Sequence, residues 1–199
     1  MASIQRTYLP GRDFSKRPLI GSQVSRATWF RVHPIDKSAI YFGKNANNRF
    51  TPENSPFGVL YMGEDLPTIL FEVFGDEMFE NDCRIRGSRW MSYRISEMHI
   101  PPVSVCDLSD VQTRSALRVD LASLIAPELE IPQAWALAIM KHGAAVDGIQ
   151  YQSRFTSRKC LALFDRRKIG SQIRTQLMGE LSKLPEASKF LDEYEVVIV

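Results

Sequence analysis

The order of strand-like and helix-like segments along the chain is the feature that most limits its fold. Segments rich in aromatic and β-branched residues lie towards both ends, at 27–32, 57–62, 159–164 and 196–199. Helical spacing of apolar residues occurs between them, at 66–75, 112–124 and 132–142, beside two further strand patterns at 90–100 and 103–108. Strands and helices do not alternate regularly, and the chain contains neither G-x-G-x-x-G nor a phosphate-binding P-loop. The sequence therefore predicts a mixed α+β domain and disfavours a doubly wound nucleotide-binding fold.

Length and composition set the broad class. The 199 residues fit one domain with a sizeable core, and 25 basic against 23 acidic residues give a net charge of only +2. A net charge this small does not indicate direct binding of nucleic acid. The N-terminus lacks the apolar core of a signal peptide, and no apolar run reaches the roughly 18 residues that span a bilayer. We therefore expect a cytoplasmic protein that binds neither nucleic acid nor membrane.

Metal chemistry and serine-hydrolase chemistry find no support in the sequence. The three cysteines are scattered and form no Cys-x-x-Cys pair, which is typical of reduced, buried thiols. The histidines at 33, 99 and 142 show no metal-ligand spacing and no Ser-His-Asp arrangement. The sequence predicts no metal site.

The first 26 residues differ from the remainder of the chain. They are polar and basic and contain Pro10, Gly11, Pro18 and Gly21, which indicates irregular structure. We interpret 1–26 as an N-terminal arm that wraps the domain or contacts a partner, and 27–199 as one folded domain.

Two arginines could bind a phosphate. Arg31 lies in the strand pattern W-F-R-V, where it either faces solvent or lies in a cleft and grips phosphate with two parallel hydrogen bonds. Arg49 ends the amide-rich stretch N-A-N-N-R-F within the predicted loop at 43–56. Its surroundings suit a pyrophosphate or a ribose, although surface loops share this composition.

A carboxylate and a hydroxyl could carry the chemistry. Asp65 and Pro67 predict the start of a helix, and Glu72 lies within its apolar stretch. Glu72 either belongs to a solvated polar stripe or faces a cleft at the margin of the core. Ser153 follows Gly148 in D-G-I-Q-Y-Q-S-R-F, a pattern typical of a bent strand or sheet edge that presents the serine.

The succession of these segments resembles the RES-domain family. W-F-R-V is followed by N-R-F-T-P, G-V-L-Y and L-F-E-V-F, and then by D-G-I-Q-Y-Q-S-R-F and C-L-A-L-F-D far downstream. The resemblance covers roughly 27–165 and rests on the order and spacing of Arg49, Tyr61, Glu72 and Ser153. The family's usual Gly-Arg-Trp is Asn-Arg-Phe here, so the glycine is lost and an aromatic side chain is kept.

The resemblance implies a fold related to ADP-ribosyltransferases, with a split, curved β-sheet surrounded by helices in a single domain. It also implies a toxin of a bacterial toxin–antitoxin pair that cleaves the nicotinamide–ribose bond of NAD by hydrolysis or phosphorolysis. Two alternatives stay open: ADP-ribosylation of a specific protein, and a non-catalytic nucleotide-binding module. The implied partners are NAD, as substrate and with no other cofactor, and an Xre-type helix-turn-helix antitoxin. Whether the chain forms a homo-oligomer is left open.

The same resemblance implies a role for each site residue. Glu72 would stabilise the positive charge that develops on the ribose as the glycosidic bond breaks, and Ser153 would fix the pose of the nicotinamide ribose or carboxamide. Arg49 would bind the pyrophosphate, with Arg31 as a second clamp. Tyr61 would stack on the nicotinamide or form a wall beside it.

Overall fold

An eight-stranded sheet crosses the protein in the computed structural model, which describes residues 9–24 and 28–199. The strands are β1 (Ser22–Val24), β2 (Thr28–Pro34), β3 (Val59–Gly63), β4 (Arg84–Ile85), β5 (Tyr93–His99), β6 (Val103–Asp107), β7 (Gly148–Gln152), β8 (Lys159–Phe164), β9 (Arg174–Glu180) and β10 (Val197–Ile198). The helices are α1 (Leu66–Glu80), α2 (Gly87–Met91), α3 (Val111–Leu117), α4 (Leu121–Ile125), α5 (Glu130–Lys141) and α6 (Pro185–Glu193). Their arrangement confirms the predicted α+β class.

The large sheet has the order β1-β6-β7-β8-β3-β2-β5-β9 and is split at its middle. Within this sheet β6 and β7 pair in parallel, and the other neighbours pair antiparallel. β3 pairs with β8 over five residues, but within the described residues it pairs with β2 only at Phe30 and Gly63. The two halves therefore diverge from this point, as the predicted split, curved sheet requires.

Three apolar clusters fill the space around the two halves. One lies between α5 and the strands β6, β7 and β8, where Trp135 and Phe50 are buried. A second packs α1 and α6 on β5, with Phe74 and Phe190 among its members. The third lies on the opposite face of the sheet and includes Trp29. Helix α1 also contacts β2, β3 and β8, so it lies over the split.

Helix α1 begins where the sequence predicts and ends later. The Asp65 side chain accepts a hydrogen bond from the Thr68 backbone N–H at 2.9 Å, and Pro67 lies in the first turn. The predicted end at Gly75 is wrong, because the helix continues to Glu80. A Cβ atom at Gly75 would lie 2.7 Å from the ring of Phe155. The glycine therefore allows the close approach of this ring and does not end the helix.

The structure differs from the sequence prediction at two other elements. The strand expected at 90–100 starts at Tyr93, because Trp90 belongs to α2 and packs on Phe74 with ring centroids 5.3 Å apart. The helix expected at 112–124 is two helices, α3 and α4, separated by Arg118 in the left-handed conformation.

The chain ends contain more regular structure than the sequence predicts. Within the arm, β1 pairs with β6 at the edge of the large sheet, whereas residues 1–8 and 25–27 lie outside the described residues. The terminal strand forms as predicted, but β10 pairs with β4 in a separate two-stranded sheet. The sequence patterns do not predict β9 and α6.

Within 9–24 and 28–199, no helix combines the length and apolar character needed to cross a bilayer.

We expect Gly148→Ala to lower the free energy of unfolding by about 2–3 kcal/mol. The added Cβ would lie 2.3 Å from the carbonyl oxygen of Ala162 on the paired strand β8, and backbone cannot yield as a flexible side chain can. Gly143→Ala is the matched control, because no atom lies within 4 Å of a Cβ there. Urea denaturation of both variants measures the difference, and equal stabilities would contradict the expectation.

Candidate active site

A cleft of about 440 Å³ opens where β2 and β3 diverge. Its walls come from β2, β3, α1, the loop before β3, the segment between α4 and α5, and the end of β7. Four of the five predicted site residues line it, namely Arg31, Arg49, Tyr61 and Glu72. The sequence-distant segments therefore converge on one cavity.

Glu72 is fixed in this cleft by two hydroxyl groups. Ser153 donates a hydrogen bond from Oγ to Glu72 Oε1 at 2.7 Å, and Tyr151 donates from its hydroxyl to Oε2 at 3.1 Å. Burial raises the pKa of Glu72 above its ordinary value, although both hydrogen bonds and the charges of Arg49 and Arg154 act in the opposite direction. The carboxylate therefore has a fixed orientation at the wall of the cleft, where it is partly buried.

Ser153 lies behind Glu72 and does not line the cleft. It directly follows β7, and its side chain is buried, with 2% of the residue exposed. Its Oγ also accepts hydrogen bonds from the backbone N–H groups of Phe155 at 3.2 Å and Thr156 at 3.4 Å. These donors orient the hydroxyl, so its proton points to the carboxylate of Glu72.

Tyr61 forms a rigid wall of the cleft. Its hydroxyl accepts a hydrogen bond from the backbone N–H of Phe50 at 2.9 Å and shares one with Thr51 Oγ1, also at 2.9 Å. Burial raises the pKa of this phenol far above its ordinary value. The hydroxyl is therefore a neutral anchor for the preceding loop, and the ring is left to contact a ligand.

Arg49 faces the cleft and also completes a helix end. Its Nη1 donates to the carbonyl oxygens of Leu124 and Ala126, both at 2.8 Å, where α4 ends and carbonyls lack helical partners. Among the described residues, no hydrogen-bond acceptor meets its Nε or Nη2. Burial lowers the pKa of Arg49, and the charge of Arg154 lowers it further. A cation in this position favours an anionic ligand.

Arg31 bridges the split in the sheet. Its Nη1 donates to the carbonyl of Tyr61 and its Nη2 to the carbonyl of Tyr41, each at 3.1 Å. Its Nε is buried without a partner in the described chain. Burial lowers the pKa of Arg31 to about 10. The guanidinium replaces part of the hydrogen bonding that β2 and β3 lose as they separate, and it leaves less capacity for a phosphate than Arg49 does.

Three residues of the cleft were not singled out from the sequence: Tyr151, Arg154 and Asp76. Tyr151 is two residues before Ser153, so strand alternation places both side chains on one side of β7 and could have identified it. Asp76 lies one turn beyond Glu72 on α1. Arg154 forms an ion pair with Asp76, and no local sequence pattern predicts this contact because 78 positions separate the two residues.

Within the described residues, no cluster of His, Cys, Asp and Glu is arranged to hold a metal ion.

Comparison with known proteins identifies the family. The model of the RES domain matches residues 26–184, most of the chain. The protein belongs to the RES domain family. A solved structure that resembles this RES domain is the MbcT–MbcA toxin–antitoxin complex of M. tuberculosis, with a TM-score of 0.66 and 15% sequence identity over 87% of this chain and 90% of that chain. No curated protein matches the sequence. At this identity the structural likeness supports the fold.

The charges in the cleft of this RES domain determine which ligands and which chemistry the cleft favours. Cationic groups at Arg49 and Arg154 suit an anionic ligand, and the hydroxyl-bound Glu72 offers a carboxylate of fixed orientation beside it. Such a carboxylate can stabilise positive charge that develops on a bound sugar.

Two carboxylates on α1 should show opposite effects of pH. The folded pKa of Glu72 is raised, so folding with this group becomes less favourable as pH rises from about 4.5 through the raised pKa. We expect Glu72→Gln to be more stable than the parent protein at pH 7, and this advantage to disappear below pH 4.5.

Glu77 provides the matched control. Burial opposes its ionisation, but hydrogen bonds from the Arg86 backbone and from Arg89 and Arg86 side chains outweigh burial and lower the pKa of Glu77. Its stabilisation is present above pH 4.5 and is lost as pH falls, so Glu77→Gln should be destabilised at pH 7 and converge on the parent in acid. Chemical denaturation from about pH 2.5 to pH 8 measures both, because the loss expected for Glu77 lies below pH 4.5. The same pH trend in the two variants would refute the assignment.

Proposed function

We propose that this RES domain is a toxin-type enzyme that cleaves the nicotinamide–ribose bond of NAD. The observation that carries the proposal is the Glu72 carboxylate, whose two oxygens are held by Ser153 and Tyr151 inside a cleft that also contains Arg49. Cleavage of this bond leaves positive charge on the ribose and releases nicotinamide. An oriented carboxylate that faces this charge lowers the energy of the transition state.

The other predicted residues take roles that fit their contacts. Arg49 binds the pyrophosphate through the N–H groups that α4 does not use, and Tyr61 forms the wall against which the nicotinamide ring lies. Ser153 acts through Glu72 as a positioning residue, because it is buried behind that carboxylate. Arg31 keeps the two strands at the distance that the cleft requires and contributes positive charge to it.

A helix-turn-helix antitoxin of the Xre type is the proposed partner. One solved structure that resembles this chain is a toxin–antitoxin complex, and the resemblance covers 87% of the present sequence. A protein that depletes NAD requires an inhibitor in the cell that makes it, and blocking the cleft near Glu72 is the simplest way to inhibit it. The proposed site of action is the cytoplasm, where NAD is available.

We expect Glu72→Gln to reduce NAD cleavage by purified protein about 100-fold to 1000-fold, the loss typical when a transition-state charge loses its counter-charge. Release of nicotinamide, followed by chromatography, is the measurement. The control is Glu80→Gln, which removes an exposed carboxylate from the same helix and the same cavity and should change the rate less than about threefold. Equal losses in both variants, or a parent protein that leaves NAD intact with water, phosphate and protein acceptors, would refute the proposal.

The fate of the ADP-ribose distinguishes the forms of this activity. With labelled NAD, free ADP-ribose indicates hydrolysis, and ADP-ribose phosphate formed only when phosphate is added indicates phosphorolysis. Label attached to a protein indicates ADP-ribosylation. Binding of NAD in calorimetry without any product would instead identify a non-catalytic nucleotide-binding module.

A further inference from the structure

Arg154 is a second cation in the cleft whose contacts leave it available for a ligand. It follows Ser153 in the loop between β7 and β8 and lines the cavity together with Arg49. Its guanidinium lies over the ring of Phe155, 4.5 Å from the centroid, and its Nη2 pairs with the carboxylate of Asp76. Within the described residues, its Nε and Nη1 have no hydrogen-bond acceptor.

The two guanidinium groups repel each other. The positive charge of Arg154 lowers the pKa of Arg49, second only to burial as a cause, so the two groups are close enough to interact. Each also interacts with Glu72, which places all three charges in one region. Like charges held together in a partly desolvated cavity are stabilised most by a ligand that carries more than one negative charge.

We propose that Arg154 and Arg49 together bind the diphosphate of NAD, and that Asp76 holds Arg154 in place until the substrate replaces it. This inference rests on the proposed function and assigns the second phosphate ligand to Arg154 in place of Arg31. Arg31 donates to two backbone carbonyls across the split, whereas the described chain provides Arg154 with one exchangeable side-chain partner.

Asp76 is suited to release Arg154. Its side chain is 70% exposed, against 23% for that of Arg154, so water can replace the guanidinium at the carboxylate with little loss. Phe155 keeps the guanidinium plane over its ring while the partner changes. The exchange therefore requires a movement of the carboxylate partner and not of the loop.

Opposite effects of two substitutions test the proposal. Arg154→Met should raise the Kd for ADP-ribose and the KM for NAD about tenfold or more, because a charged hydrogen bond to phosphate is lost. Asp76→Asn should lower both about threefold, since it removes the competing carboxylate and its repulsion of the diphosphate. If the ion pair only held the loop in place, both substitutions would weaken binding, and this outcome would overturn the proposal, as would an unchanged Kd in Arg154→Met.

Two further variants exclude indirect effects. Arg154→Lys keeps the charge but loses the planar fork, so its Kd for ADP-ribose should lie between those of the parent and Arg154→Met. Arg158→Met removes an exposed arginine of the same loop, which pairs with Glu64 and Asp65 outside the cleft, and should leave the Kd unchanged. A loss of binding in Arg158→Met as large as that in Arg154→Met would overturn the proposal.

Calorimetry with ADP-ribose separates this proposal from the proposed enzymatic function. If NAD is not cleaved, but Arg154→Met, Arg154→Lys and Asp76→Asn shift the Kd as expected while Arg158→Met does not, the diphosphate site is supported and the proposed activity is refuted. If NAD is cleaved but Arg154→Met and Asp76→Asn shift the Kd in the same direction, the proposed activity is supported and the assignment of Arg154 is refuted. A parent protein that does not bind ADP-ribose at all overturns the assignment as well.

Discussion

The divergence of β2 and β3 creates the space for the site, and the Arg31 guanidinium makes this divergence possible. Two neighbouring strands that separate after one pair of residues leave backbone carbonyl groups without partners, and buried carbonyls without partners are costly. Arg31 donates to the carbonyl of Tyr61 on β3 and to that of Tyr41 in the loop that follows β2. The cleft, the position of α1 over it and the exposure of the Tyr61 ring all follow from this opening.

In the cleft, burial and the nearby charges have opposite effects on the pKa of Glu72. A carboxylate alone in this position would be protonated more readily, since burial raises the pKa of Glu72. Two hydroxyl donors and two arginines offset part of that effect and keep an anionic form accessible. The charges of the same two arginines repel each other, since the charge of Arg154 lowers the pKa of Arg49. The carboxylates of Glu72 and Asp76 offset part of this repulsion, and a bound anion would offset more of it.

Prediction from the sequence succeeded where the determinants are local. The Asp65 cap is encoded within four residues, and the strand predicted at 159–164 has the observed bounds because its apolar run is continuous. Prediction failed where contacts between residues far apart in the sequence determine the local structure. Gly75 does not end α1 since it accommodates the ring of Phe155, and Trp90 lies in a helix because it packs on Phe74. Glu72 could be placed in a cleft only through the order of motifs, and Arg154 could not be found at all, because its partner Asp76 lies in a remote segment.

The hydrogen bonds that fix the site also determine when during synthesis it can exist. Those that orient Glu72 join residues 79 and 81 positions apart, and those that hold Arg49 span 75 and 77 positions. Contacts of such long range form only after the intervening chain has been made and collapsed. A ribosome-bound chain that lacks β7 would have Glu72 without either hydroxyl donor. The cleft is therefore assembled late, and a partner that recognises its shape has nothing to bind until most of the chain has folded.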